Sequence, residues 1–464
     1  MTLTWRHLAI IITVLATVLA ASSRLHAGAH NSVQQPPSRY VITSDKLLIH
    51  AGTLLAVPGE PPLTNQSVVI WGDRILSVTA GFREPFFNET LIDLSDSFVL
   101  PGLMDAHVHI MAQPSAFVRN ARSGGGPISN SDLAMNGSVY AQRTLAAGFT
   151  TIRDVGSNDE SVFALRKAIN QGMLAGPSIL TAGPLISPTG GHGDRGFGAS
   201  DSMETEVRRT EGVCDGADEC AIAVRHNIGL GADLIKFTAT GGFMSATGTQ
   251  QQYEPEEMQA IVETAHMRDL KVAAHAYGAD AAKLAIEAGV DSIEHGWMLD
   301  KSALRQMKKQ GTYLVPTLLI SRPSAWANMA GTAKGAAQRD EYRSFEQAYA
   351  MGVNIAFGTD VGIYDHGQNA REFAVMVAFG MSEADAIHSA TVATADLFGL
   401  SDDRGVIQGG KRADIIAVKA NPLEDIEALQ DVSFVMKSGA VVKLNSEYLG
   451  SINTRPVIGS PVKF

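Results

Sequence analysis

The 464-residue chain predicts an α/β fold: a closed (β/α)8 TIM-like barrel over residues 101–403, with a small β-sandwich built from both chain ends, 28–100 and 404–464. Three observations predict it. From residue 101 to about 400, an apolar run, a Gly-rich loop and a helical stretch recur. The flanks carry short alternating strands instead. Histidine, lysine and aspartate fall at the ends of the apolar runs, where such a barrel places its chemistry.

The runs are "PGLMDAHVHI", "FTTIRDVG", "PSILTAGP", "ADLIKFTATGG", "KVAAHAYG", "VDSIEHGWM", "TYLVPTLL" and "VNIAFGTDVG". Between them lie stretches with apolar residues at helical spacing, such as "EEMQAIVETAHMRD" and "ADAAKLAIEAG". Eight strand–helix units favour closure of the sheet. An open doubly wound sheet is the alternative, but no glycine-rich phosphate fingerprint opens the first unit. Residues 46–99 and 405–446 alternate apolar and polar positions between turns, as half-buried strands do. Each flank alone is small for a stable domain, so pairing them is the economical solution.

Composition narrows the partners. With 45% hydrophobic and 18% charged residues the chain is ordinary for a globular enzyme, and its net charge of −11 without a basic stripe argues against nucleic acid. The first 27 residues read as a secretory signal: Arg6 and His7, an apolar run from Leu8 to Ala20, then small residues. The run is short of the roughly 20 apolar residues of a membrane span. Export to the periplasm or medium, without stable membrane insertion, is therefore expected. Cys214 and Cys220 are the only cysteines and could form one local disulfide in that compartment. Sequons begin at Asn65, Asn88 and Asn136 and matter only in a glycosylating host.

In "PGLMDAHVHI" the alternation of an extended strand puts His107 and His109 on one face. Two imidazoles on one face make half a metal site. Alone, the pair reads better as satisfied core histidines. Its partners change that: Lys236, His275, His295 and Asp360 each stand at the end of a later run.

These motifs, with "GGKRADIIAV" and "NPLEDI" near the end, resemble the amidohydrolase superfamily in its two-metal branch. The resemblance implies two divalent ions, zinc expected. His107, His109 and Asp360 would hold the first and His275 and His295 the second, bridged by an N-carboxylated Lys236. Charge supports the carbamate: an ammonium about 4 Å from a divalent ion is repelled by roughly 8 kcal/mol at a dielectric of 20. Asp360 would take the proton of a metal-activated water and deliver it to the leaving nitrogen. Gly278 stands three residues after His275, where single-metal deaminases carry glutamate, so amide hydrolysis is preferred over deamination.

The loops speak to substrate. "ISPTGGHGDRGFG" carries His192 and Arg195, Tyr277 lies two residues past His275, and "YDHGQNARE" carries His366. They resemble a branch of exported prolidase-like dipeptidases and ochratoxin-hydrolysing amidases. In that resemblance His192 and Tyr277 hold the substrate's free carboxylate, with Arg195 a weaker candidate and His366 lining the pocket or merely preceding the next helix. The substrate would be a dipeptide or N-acyl amino acid, and the assembly a homo-oligomer. A lactonase or phosphotriesterase would use the same metals on an ester. A non-catalytic binding protein would have little reason to keep six strand-end groups.

Overall fold

The computed structural model describes residues 46–114, 129–157, 160–194, 212–242, 248–321 and 343–449. Residues 1–27, where the leader is expected, and Arg195 lie outside them.

Both flanks meet in one eight-stranded sheet. β1 (Lys46–Leu54), β2 (Leu63–Trp71) and β3 (Arg74–Ala80) form antiparallel neighbours, and β4 (Glu89–Pro101) runs parallel to β1. The C-terminal strands join at β4, where Ile415 of β12 (Ile415–Val418) pairs with Pro101 and Val418 with Phe98. β13 (Val432–Lys437), β14 (Ala440–Leu444) and β15 (Glu447–Tyr448) extend that edge. Leu47, Ile49, Val68, Ile70, Val99, Ile415, Ala417 and Phe434 pack one apolar core from both ends of the chain. This is the packing that neither flank could achieve alone.

The middle of the chain forms two parallel sheets. β5 (Leu103–Val108), β6 (Phe149–Asp154) and β7 (Ser178–Thr181) make one; β8 (Leu234–Thr238), β9 (Lys271–Gly278), β10 (Ser292–Met298) and β11 (Tyr313–Val315) make the other. Helices alternate with them, among them α1 (Asn130–Ala146), α2 (Ser161–Asn170), α3 (Ala217–Leu230), α4 (Pro255–His266), α5 (Ala279–Ala288) and α6 (Lys301–Gln310). Their caps follow from sequence: Ser129 and Asp132 form a capping box on α1, Asp300 caps α6, and Gly231, Gly289 and Gly311 close α3, α5 and α6 in left-handed conformations.

Backbone hydrogen bonds link the two sheets on both sides. Ile186 donates to Lys236 O (2.9 Å) and Thr238 donates back to Ile186 O (3.0 Å). On the other side Ala356 donates to Leu314 O (3.0 Å), Ala106 to Phe357 O (2.8 Å) and Asp360 to His107 O (2.7 Å). The eighth run, 353–361, is held by single bridges at Ile355 and Val361 rather than by a continuous ladder. The seventh is only three residues long, because Pro316 cannot donate an N–H. Cys214 and Cys220 are joined by a disulfide at the start of α3. No helix among the described residues is long and apolar enough to cross a membrane.

Candidate metal centre

His107 and His109 leave the end of β5 on the same side, as alternation requires, with His107 buried and His109 26% exposed. Asp360 comes to meet them from the eighth run. Its Oδ1 is 3.5 Å from His107 Nε2 and 3.2 Å from His109 Nε2. One ligand atom from each of the three residues lies within 4.8 Å of the others. Asp360 sits at φ 58°, a region non-glycine residues seldom occupy, so backbone strain is accepted to aim its carboxylate inward. Gly362, at φ 120°, allows the close pass: a Cβ there would stand 2.7 Å from His109 Cβ and 2.8 Å from its carbonyl oxygen.

The outer nitrogens fix which ring atoms face the centre. His107 Nδ1 is 2.7 Å from Glu294 Oε2, and His109 Nδ1 is 2.9 Å from Gly156 O. A carbonyl can only accept, so His109 Nδ1 carries a proton and Nε2 is the nitrogen turned toward Asp360. The carboxylate does the same for His107. Two imidazole nitrogens thus face the buried Oδ1 of Asp360, which no hydrogen bond of good geometry reaches, and a positive charge there, a proton on His109 or a metal ion, satisfies the group. A divalent ion fits that donor set.

A second group adjoins the first. His295 lies 4.9 Å, ring to ring, from His107 and 4.6 Å from His275. His295 Nδ1 is 2.7 Å from Thr317 Oγ1, and His275 Nε2 is 3.3 Å from Gly241 O, which leaves the opposite nitrogen of each free to ligate. Lys236, 2% exposed in the middle of β8, lies in the field of Glu294 and Asp360 and acts in turn on His107. His192 stacks on His275 at 4.5 Å, and Tyr277 stacks on His295 at 5.1 Å while meeting His275 edge-on. A Cβ on Gly242 would stand 2.5 Å from the His192 ring, so glycine is what seats that histidine.

Burial sets the protonation states. It holds His107 and His275 well below the ordinary imidazole value and His295 down to about 3, so these rings are neutral. At His109 burial also acts to lower the value, but Asp360 outweighs it and the net shift is upward. At Asp360 burial would raise the carboxyl; His107, His109 and His295 outweigh it and hold it well below the usual carboxylate range. Lys236 is pushed down to about 8 by burial.

The structure thus brings together His107, His109, Asp360, His275, His295 and Lys236, with His192 and Tyr277 against them. His366 is differently employed. Its ring stacks on Tyr140, with Nε2 2.9 Å from Ala112 O and Nδ1 3.4 Å from Thr144 Oγ1, so it buttresses the loop after β5.

The sequence reading missed a buried layer beneath the centre. Arg153 donates to Glu294 Oε1 (2.8 Å) and to Ala106 O (2.6 Å), and Ser292 donates to Glu294 Oε1 (2.6 Å). Asp105 accepts from Thr359 Oγ1 (2.6 Å), Asn369 Nδ2 (2.8 Å) and His107 N (3.0 Å). Asp154 accepts from Ile110 N and Ser157 Oγ, both at 2.8 Å. The available signal was a charge inside each apolar run, in "LMDAH", "TIRDV" and "SIEHG". A charge in a buried strand must find a partner.

The model of the amidohydrolase family matches residues 98–442. The chain belongs to this family. Among its relatives is the ochratoxinase of Aspergillus niger, 31% identical over 425 residues that cover 85% of this chain and 86% of that protein. Solved structures of the same fold include a Xaa-Pro dipeptidase with methionine bound in its active site, 40% identical with a TM-score of 0.79, covering 86% of this chain and all of the other. A prolidase complexed with N-methylphosphonate-L-proline is 32% identical, with a TM-score of 0.76 and the same coverage. The chain is therefore a hydrolase acting on amide bonds, of a family that generally binds divalent metals.

Proposed function

We propose that the chain cleaves an amide bond whose leaving group is an amino acid with a free carboxylate, as in a dipeptide or an N-acyl amino acid. The observation that carries the reading is the convergence of four imidazoles, Asp360 and Lys236, with the outer nitrogens of the histidines already tied down. His107, His109 and Asp360 would hold one divalent ion, zinc by its taste for nitrogen and oxygen donors, and His275 and His295 a second. Lys236 as an N-carboxylated bridge would replace a buried cation by an anion between them. We also read the linked parallel segments as a closed (β/α)8 barrel over 101–403. The flanks 28–100 and 404–464 would form its sandwich, and residues 1–27 a removed export leader.

Bound metal supplies Lewis acidity and lowers the pKa of a coordinated water from 15.7 to about 7. The chain supplies the rest. Asp360, anionic in the resting state, accepts a proton and returns it to the departing nitrogen, which an amide needs because an amine anion leaves badly. His192 and Tyr277 stand against His275, where two donors can receive the substrate's carboxylate. The names of the relatives agree: a Xaa-Pro dipeptide, a proline-bearing phosphonate and ochratoxin are the molecules they are named for.

Tyr277→Phe tests the assignment. Donors to a charged acceptor contribute about 1.5–3 kcal/mol, so kcat/KM for a dipeptide should fall roughly 10- to 150-fold. Hydrolysis of the C-terminal amide of the same dipeptide should change little. A wild-type enzyme that prefers the amidated dipeptide, or that turns over only lactones and phosphotriesters, overturns the reading.

A further inference from the structure

β10 does not run straight through its metal-site histidine. Its pairing with β9 slips between His295 and Met298, and His295 and Gly296 both take left-handed backbone, at φ 69° and 64°. A bulge of this kind re-aims a side chain. The facing end of the seventh run is equally irregular. Pro316 offers no N–H, and Thr317 stands at φ 48°, a region that β-branched residues rarely enter. Two bonds join the two irregular segments, His295 Nδ1 to Thr317 Oγ1 at 2.7 Å and Trp297 Nε1 to Pro316 O at 3.0 Å, and Ser344 Oγ holds Gly296 O at 2.7 Å from a third. Thr317 is fully buried. Glycine would hold this backbone without strain, but it has no acceptor to give the imidazole.

We propose that Thr317 is a positioning residue for the second metal: its hydroxyl accepts the Nδ1 proton of His295 and so fixes Nε2 as the ligating nitrogen. The inference rests on the binuclear reading above. Without that acceptor the ring is free to carry its proton on Nε2 or to rotate, and either removes a ligand. The strained threonine is kept because the contact needs both its backbone position and its oxygen.

Zinc per chain after equilibrium dialysis over a range of free zinc, with the visible spectrum of the cobalt-loaded protein, tests this. Wild type should hold two equivalents. Thr317→Val keeps the shape and branching but not the acceptor, and should weaken the second equivalent about 10- to 100-fold while the first is retained. Thr317→Ser keeps the hydroxyl and should match wild type in both. Two equivalents at wild-type affinity in Thr317→Val would overturn the proposal, as would Thr317→Ser weakening as much as Thr317→Val, since methyl packing would then be the cause. Should Thr317→Val not fold, Thr317→Ala takes its place with the same two outcomes. A wild-type chain that binds a single equivalent refutes the binuclear reading itself, and the role of Thr317 falls with it.

Discussion

Replacing Glu294 by glutamine tests the centre from beneath without touching a ligand. The carboxylate is fully buried and has two duties: Oε2 meets His107 Nδ1 at 2.7 Å, while Oε1 accepts from Arg153 at 2.8 Å and from Ser292 at 2.6 Å. An amide of the same shape cannot do both. With its oxygen toward Arg153, its NH2 faces His107 Nδ1 and forces the ring proton onto Nε2, the nitrogen that faces Asp360. With its oxygen toward His107, its NH2 faces the guanidinium, donor against donor. Either way Arg153, 2% exposed, loses its carboxylate partner. Removing one member of a buried pair costs about 3–5 kcal/mol, and a lost supporting contact lowers metal affinity about 10- to 100-fold. Zinc titration against a competing chromophoric chelator reads the affinity, and denaturant unfolding of the metal-free protein reads the stability. Glu294→Gln should be weaker in both. A variant that binds zinc within about threefold of wild type would refute the tautomer reasoning, because a supporting contact of this kind is worth at least about tenfold.

Two further outcomes follow from groups on either side of that layer. Gly242→Ala puts a Cβ 2.5 Å from the His192 ring and must displace it, so kcat/KM for a dipeptide should fall by about tenfold or more, with zinc content unchanged; loss of zinc as well would place His192 in metal binding instead. Asp403 receives Arg74 (2.5 Å), Arg404 (2.7 Å) and Arg412 (2.8 Å); burial would raise its carboxyl, but Arg412 and Arg404 outweigh it and hold it well below the usual range. Its folded-state value is therefore below its unfolded one, so its stabilisation is full above about pH 4 and lost as pH falls through the lower folded value. Asp403→Asn should cost about 2–3 kcal/mol at pH 7 and flatten the acid limb of the stability profile, measured by denaturant unfolding between pH 2 and 7; an unchanged limb would deny the carboxylate that role.

Much of the fold was legible because local patterning and global packing agree. The apolar runs "LLI" and "VVI" mark strands, and β1 and β2 form there, buried along those runs on both faces rather than on one. The flanks were legible only as a pair, through the reasoning that neither could bury its apolar face alone. The β4–β12 pairing that joins them spans more than three hundred residues of sequence, and nothing in either segment names its partner. The two weakest strands fail for stated reasons. Pro316 ends the seventh, and the eighth must hold Asp360 in a left-handed conformation that a regular ladder would forbid.

The same contrast runs through the site. His107, His109, Lys236 and His275 were legible because they lie in or beside regular strands, where period two decides the face. His295 and Asp360 were legible as residue types in register, but not in geometry, since each is aimed by a positive φ that alternation cannot express. The layer beneath is hidden for a deeper reason. Glu294 is next to His295 in sequence, yet its carboxylate serves His107, across 187 residues of chain. A ligand is advertised by its chemistry and its spacing; the group that holds the ligand is any buried acceptor within reach. Asp105 shows the same thing two residues before His107, bound to Thr359 and Asn369, more than 250 residues further along the chain. What the sequence does carry is the anomaly itself, a carboxylate or guanidinium inside an apolar run, which must be neutralised by something the fold brings to it. In this chain Asp105, Arg153 and Glu294 all meet that condition under one pair of histidines, so their charges locate the centre as surely as the ligands do.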